Sequence, residues 1–235
     1  MLLGSLDLLT RDPSAWLALM LASVVGVVLA VTVHEAGHAW SALQLGDRTA
    51  QRLGRISLNP ARHLDPAGSL LFLLVGFGWG KPTPVNPANM RGNPVSGMAV
   101  TSFAGPAANV ITALLLGLPI RAGILPWNPP FQGVPLLSGG TDAILGDIAA
   151  YAILFNILLA AFNLIPLPPL DGFAVALGVL PRRASSVFAT IGRYGPAPLI
   201  ALILLDLLIP VPLIANMLSP IIDVLGLVIV GQSPR

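Results

Sequence analysis

Between Ala15 and Val33 the chain runs for nineteen residues without a charge, and the next residue is a histidine. Wound as a helix, that run rises about 28 Å, close to the hydrocarbon thickness of a bilayer. Inside a bilayer every backbone N–H and C=O must find its partner within the protein, so only helices and closed barrels span it. A spanning strand needs only about ten residues, so a run this long reads as a helix. The helix continues through Val31–Trp40, VTVHEAGHAW, to about Leu45 and stops at Gly46.

On that helix positions i and i+4 share a face, so His34 and His38 can offer imidazole nitrogens to one ion. Glu35 lies beside them, where a carboxylate can take a proton from activated water. This spacing is the HExxH arrangement of zinc metalloproteases. The plain alternative is a pair of interior histidines satisfied by hydrogen bonds, with the glutamate reaching toward solvent. The chain has three histidines, and Glu35 is its single glutamate, so two of the three and the lone Glu fall within five residues. An ionisable cluster near the end of a span is costly unless it is paired or binds a metal.

The rest of the chain fits the same solvent. Of 235 residues 55% are hydrophobic and 9% charged, against about 25% charged in soluble domains. The mean hydropathy of +0.84 agrees. The expected class is an all-α polytopic membrane protein, a single domain over residues 1–235 with about five transmembrane helices. The spans are expected at roughly 15–45, 95–118, 142–165, 196–209 and 211–230, with a short β or re-entrant segment between the first two. A net charge of +2 without a basic patch gives no support to nucleic-acid binding. With no Cys, disulfides and thiolate metal sites are excluded. Removal of the first apolar run as a secretory signal would destroy HEAGH, so no cleaved signal is expected.

Asp47–Pro94 and Pro181–Arg193 hold nine of the twelve basic residues, which places both on the cytoplasmic side. Within the first, Arg52–Asn59 predicts a strand and Gly80–Asn86, with its prolines, an extended segment. Ser69–Gly78 is apolar but too short to span, and suits a re-entrant or interfacial element. Phe103–Asn109, FAGPAAN, fits either close helix packing through small residues or the lining of a polar cavity. The third span ends at Asn163 in NLIPLPPLDG, where three prolines in four residues stop the helix. Backbone unwound at membrane depth must be buried or face a cavity. Asp171, at its end, is the candidate for a third metal ligand. Asp206 and Asp223 fit either functional acids or, as the first reading, helix-end residues near the far interface.

HEAGH, Ser57–Gly68 (SLNPARHLDPAG), Gly78–Pro87 (GWGKPTPVNP), FAGPAAN and Asn163–Gly172 resemble, in sequence and order, the site-2 proteases. These are intramembrane zinc metalloproteases. The resemblance runs from about residue 31 to 172 and implies one zinc ion (Zn2+) per chain, held by His34, His38 and Asp171. It implies Glu35 as the catalytic glutamate and Asn163 as a residue that helps hold substrate or oxyanion. His63 matches a family HxDP pattern and is given a structural role first. Over these 235 residues no PDZ or regulatory domain of the larger members is expected. The activity implied is intramembrane proteolysis of single-span proteins in a cell membrane, with the active site toward the cytoplasm. A zinc-binding transporter would distribute polar residues along a path across several spans, and a non-catalytic relative would not need Glu35.

Overall fold

A computed structural model of the chain describes residues 5–76, 78–130 and 139–231. Ten α-helices are seen among these residues: α1 Leu6–Arg11, α2 Pro13–Gln44, α3 Thr49–Arg52, α4 Pro66–Val75, α5 Pro94–Arg121, α6 Thr141–Asn163, α7 Asp171–Val179, α8 Arg182–Phe188, α9 Ala197–Leu208 and α10 Leu213–Val230. Four of them (α2, α5, α6 and α10) are long and apolar enough to cross a membrane. With α9 counted as part of a bent fifth span the number is five, bent by 74° where the segment Arg182–Tyr194 meets α9. Alone, α9 rises only about 18 Å. The chain is a multi-pass membrane protein.

The first span begins where the sequence places it. Asp12 caps α2 by accepting from the Ala15 N–H at 3.0 Å, and Pro13 occupies the first turn, where no N–H is needed. The helix ends before Gly46, whose φ of +105° suits glycine. Around it α2, α5 and α6 pack through small residues, because lipid tails supply no hydrophobic drive and close approach must do the work. A Cβ on Gly26 would lie 3.0 Å from the Tyr151 carbonyl oxygen of α6, and one on Gly37 2.7 Å from the Ala104 carbonyl oxygen of α5. Ile153 and Ile157 of α6 then meet Leu218, Ile222 and Ile229 of α10 in the main apolar cluster.

The loop between α2 and α5 departs from expectation in one place. Arg52–Asn59 is not a strand, and no strand occurs among the described residues. The chain makes a helical turn in α3, reverses at Gly54 with φ +66°, and then buries Arg55. The Arg55 guanidinium donates to the carbonyls of Arg62 and Lys81, and so takes up acceptors that a ladder would use. Pro82 and Pro84 lack N–H groups, which shortens any ladder further. What remains is one antiparallel bridge between Leu64 and Gly80, with the Lys81 N–H on the His63 carbonyl at 2.7 Å. Gly80–Asn86 is extended, as expected, and the re-entrant candidate at Ser69–Gly78 lies largely in the ten-residue apolar helix α4. At about 15 Å long, α4 cannot span.

Asp47 pins this loop to the end of α2. Burial opposes its charge. Hydrogen bonds from the Thr49 hydroxyl, the Asn86 N–H, the Asn89 amide and the Thr49 N–H overcome that, and hold the carboxyl below its ordinary value.

Candidate metal centre

His34 and His38 sit one turn apart on the inner face of α2, 5% and 8% exposed. Their rings lie 4.6 Å apart between centroids, at 89° to one another. The chain returns to them after 133 residues. Unwound at the prolines beyond Asn163, it restarts as α7, whose first residue is Asp171. Gly172 makes the restart possible: a Cβ there would collide with the Leu164 carbonyl. Asp171 Oδ2 is thereby brought 3.0 Å from His34 Nε2 and 3.2 Å from His38 Nε2. Among the described residues these three form the group able to hold a metal, their ligand atoms all within 4.8 Å of one another.

The chemistry of this donor set fits zinc. Two imidazole nitrogens and one carboxylate oxygen make a three-ligand set with room for a fourth. Donors about 2.0–2.1 Å from one tetrahedral zinc lie roughly 3.3 Å apart, close to the spacing found. Proton positions agree. His38 Nδ1 is 2.7 Å from the Thr101 carbonyl oxygen, which can only accept. The hydrogen of a neutral His38 ring is therefore on Nδ1, and a bare Nε2 lone pair faces a carboxylate oxygen. Two such lone pairs repel unless a proton or a metal ion lies between them, and the three-donor spacing accommodates the metal. His34 Nδ1 has a partner of the same kind, Asn109 Oδ1 at 2.7 Å.

Glu35 points to the neighbouring segment. Its Oε2 accepts the Thr83 N–H at 2.7 Å, and the Thr83 hydroxyl donates to the Glu35 carbonyl at 3.0 Å. Gly80 allows this contact, since a Cβ there would lie 2.7 Å from Val31 Cγ1. The extended segment thus fixes the Glu35 carboxylate through Thr83.

Two other sequence candidates lie outside the cluster. Asn163 donates back to the Leu159 carbonyl of its own helix at 3.0 Å. His63 is fully buried, with Nε2 2.7 Å from the Ser57 carbonyl oxygen, and knits the loop. The cluster's surroundings were less visible in sequence. Asn109 stood out only as a polar residue in a span, and Thr101 and Asn156 not at all.

Gly105 of FAGPAAN lies directly under the rings. A Cβ there would sit 2.5 Å from His38 Nε2 and 2.8 Å from His34 Cε1. Gly105→Ala should push both imidazoles aside and weaken metal binding by about 10–100-fold, the usual cost of disturbing support around a ligand. Zinc titration with chelator competition checks this; unchanged affinity would mean that α5 can retreat.

No protein-family model matches the chain, and no solved structure matches it. Named relatives do. The chain is 36% identical over 183 residues to "Putative zinc metalloprotease YwhC" of Bacillus subtilis, a match covering 76% of this chain and 78% of that protein. The chain belongs to the site-2 protease family. Two mycobacterial proteins, each called "Putative zinc metalloprotease Rip2", match at lower identity. The one from Mycolicibacterium smegmatis is 29% identical over 169 residues, covering 70% of this chain and 59% of the relative. The one from Mycobacterium tuberculosis is 28% identical, covering 70% and 60%. The motifs that resemble site-2 proteases supply the cluster's walls: HEAGH on α2, FAGPAAN on α5 and LDG at the start of α7.

Proposed function

We propose that this protein is a zinc endopeptidase that cuts membrane-spanning proteins within the bilayer. One observation carries the reading. His34, His38 and Asp171 converge near the end of a membrane-length helix, and Glu35, next to His34 in the chain, has its carboxylate held by the Thr83 N–H.

His34, His38 and Asp171 would hold zinc, which supplies Lewis acidity: it polarises a carbonyl and acidifies water. Glu35 takes the proton of the attacking water and passes it to the leaving amine. Thr83, through its N–H, keeps the carboxylate in place between these two transfers. A helical substrate hides its carbonyls in its own hydrogen bonds and must be extended before it is cut. Gly80–Asn86 offers a rail for that. The N–H groups of Lys81 and Thr83 are turned inward onto the protein, and Pro82 and Pro84 have none. The outer edge therefore presents carbonyl acceptors to substrate N–H groups, a one-sided form of strand addition. Arg52–Asn59, not being extended, takes no part.

Proteoliposomes containing the protein and a tagged single-span substrate test the reading. Cleavage should map inside the apolar segment, stop on zinc chelation and return with added zinc. Cleavage that persists without metal, or that maps to a soluble tail, would count against it.

The basic residues favour a cytoplasmic position for Asp47–Pro94 and Pro181–Arg193, and for the centre next to them. Cysteines introduced singly into this Cys-free chain report it. An impermeant thiol reagent on intact cells should label position 128 and spare 91 and 183; the opposite pattern reverses the orientation.

A further inference from the structure

A histidine binds a metal through Nε2 only when Nε2 is free of hydrogen, so something must keep the proton on Nδ1. For His38 the Thr101 carbonyl does this, as shown above. For His34 the partner is an amide, and an amide can present either oxygen or nitrogen. Were Asn109 turned over, its NH2 would face Nδ1, the ring hydrogen would move to Nε2, and His34 would point an N–H at Asp171. Binding a metal would then first require moving that hydrogen back to Nδ1, at a cost in affinity.

The surroundings of Asn109 forbid that reversal. Its Nδ2 donates to the Ala30 carbonyl of α2 and to Asn156 Oδ1 of α6, both at 2.8 Å. Asn156 Nδ2 donates in turn to the Ala152 carbonyl of α6 at 2.8 Å. Both asparagines are fully buried, so bulk water offers no substitute partner. Reversing Asn109 alone sets its oxygen against two oxygens. Reversing both together still sets one oxygen against Ala30 and another against Ala152. Backbone carbonyls cannot donate, so the chain of amides has one allowed direction.

We infer that Asn156 and Asn109 form a one-way amide relay, anchored on the carbonyls of Ala152 and Ala30, that holds His34 in its Nδ1–H form and presents a bare Nε2 to the metal side. The relay rests on the reading of His34 as a metal ligand. It assigns a task to α6, a helix that supplies no ligand: it sets the chemistry of a ligand on α2 through a residue of α5. Asn109 and Asn156 are positioning residues and touch no substrate.

The test uses full-length protein in lipid nanodiscs, metal-free, with 15N-labelled histidine, at about pH 8, above the ordinary histidine pKa. Three histidines give a sparse spectrum, and His63→Gln removes one of them. Wild-type His34 should carry hydrogen on Nδ1, as the neutral Nδ1–H ring or as the imidazolium that Asp171 would hold, 3.0 Å away; a neutral ring with its hydrogen on Nε2 alone overturns the relay without any variant at the relay itself. Asn109→Leu should populate the Nε2–H form at His34, leave His38 unchanged and lower zinc affinity by about 10–100-fold. Asn156→Leu should shift both readouts in the same direction by less. The double variant should bind zinc no worse than Asn109→Leu alone, because Asn156 acts through Asn109. Additive losses, an unmoved His34, or a His38 disturbed as much as His34 would each sink the relay. A wild type that shows the expected His34 form yet takes no zinc would instead sink the metal reading and leave the relay standing.

Discussion

Glu35→Gln should leave zinc content and fold unchanged while lowering the cleavage rate by about 10²–10⁴-fold, the usual worth of a general acid–base group. Gln keeps the shape of Glu, and its amide oxygen can still accept the Thr83 N–H that Glu35 Oε2 accepts at 2.7 Å. It cannot take a proton. Glu35 is also outside the group of three that can hold a metal, so its loss should not empty the site. The measurement is cleavage of a tagged single-span substrate in proteoliposomes, with zinc determined by mass spectrometry on the same samples. Cleavage at the wild-type rate would end the mechanism proposed here. A transporter that merely carried zinc would give no cut product from either form, and a non-catalytic binding protein would behave likewise.

Purified protein should carry about one zinc per chain, and His34→Ala, His38→Ala and Asp171→Ala should each lose most of it. The three ligand atoms share one small space, so none has a neighbour among the described residues ready to replace it. Activity should fall with occupancy, to the background of the metal-free protein. His63→Ala is the control. It should keep its zinc but lose about 1–3 kcal/mol of stability, the cost of removing a fully buried imidazole and its hydrogen bond to the Ser57 carbonyl. Full zinc in Asp171→Ala would show that the carboxylate sits near the metal without binding it. Loss of zinc in His63→Ala would show that the loop, and not the helix pair, governs the site.

Much of this was legible in the sequence because it depends on local geometry. A charge-free run of nineteen residues has few ways to satisfy its backbone in lipid, and α2 begins and ends within two residues of the expected bounds. The four-residue spacing of His34 and His38 places them on one face of any helix, whatever that helix packs against. Three prolines after Asn163 stop α6, and Asp171 follows as the first residue of the next helix.

Other features needed the tertiary structure, because their partners lie far apart in the chain. The Arg52–Asn59 pattern suits a strand, but Arg55 captured the carbonyls of Arg62 and Lys81, seven and twenty-six residues away, and the chain wrapped around the guanidinium instead. Gly105 looked like one more small residue for helix packing until α5 was seen to press its backbone against both imidazoles. Asn109 joins His34 across 75 residues and Asn156 across 47, and nothing in the local pattern of either helix marks the pairing. Helical periodicity fixes which side chains share a face. Which faces meet, and which way an amide must point once buried between them, depends on the carbonyls that the other helices bring.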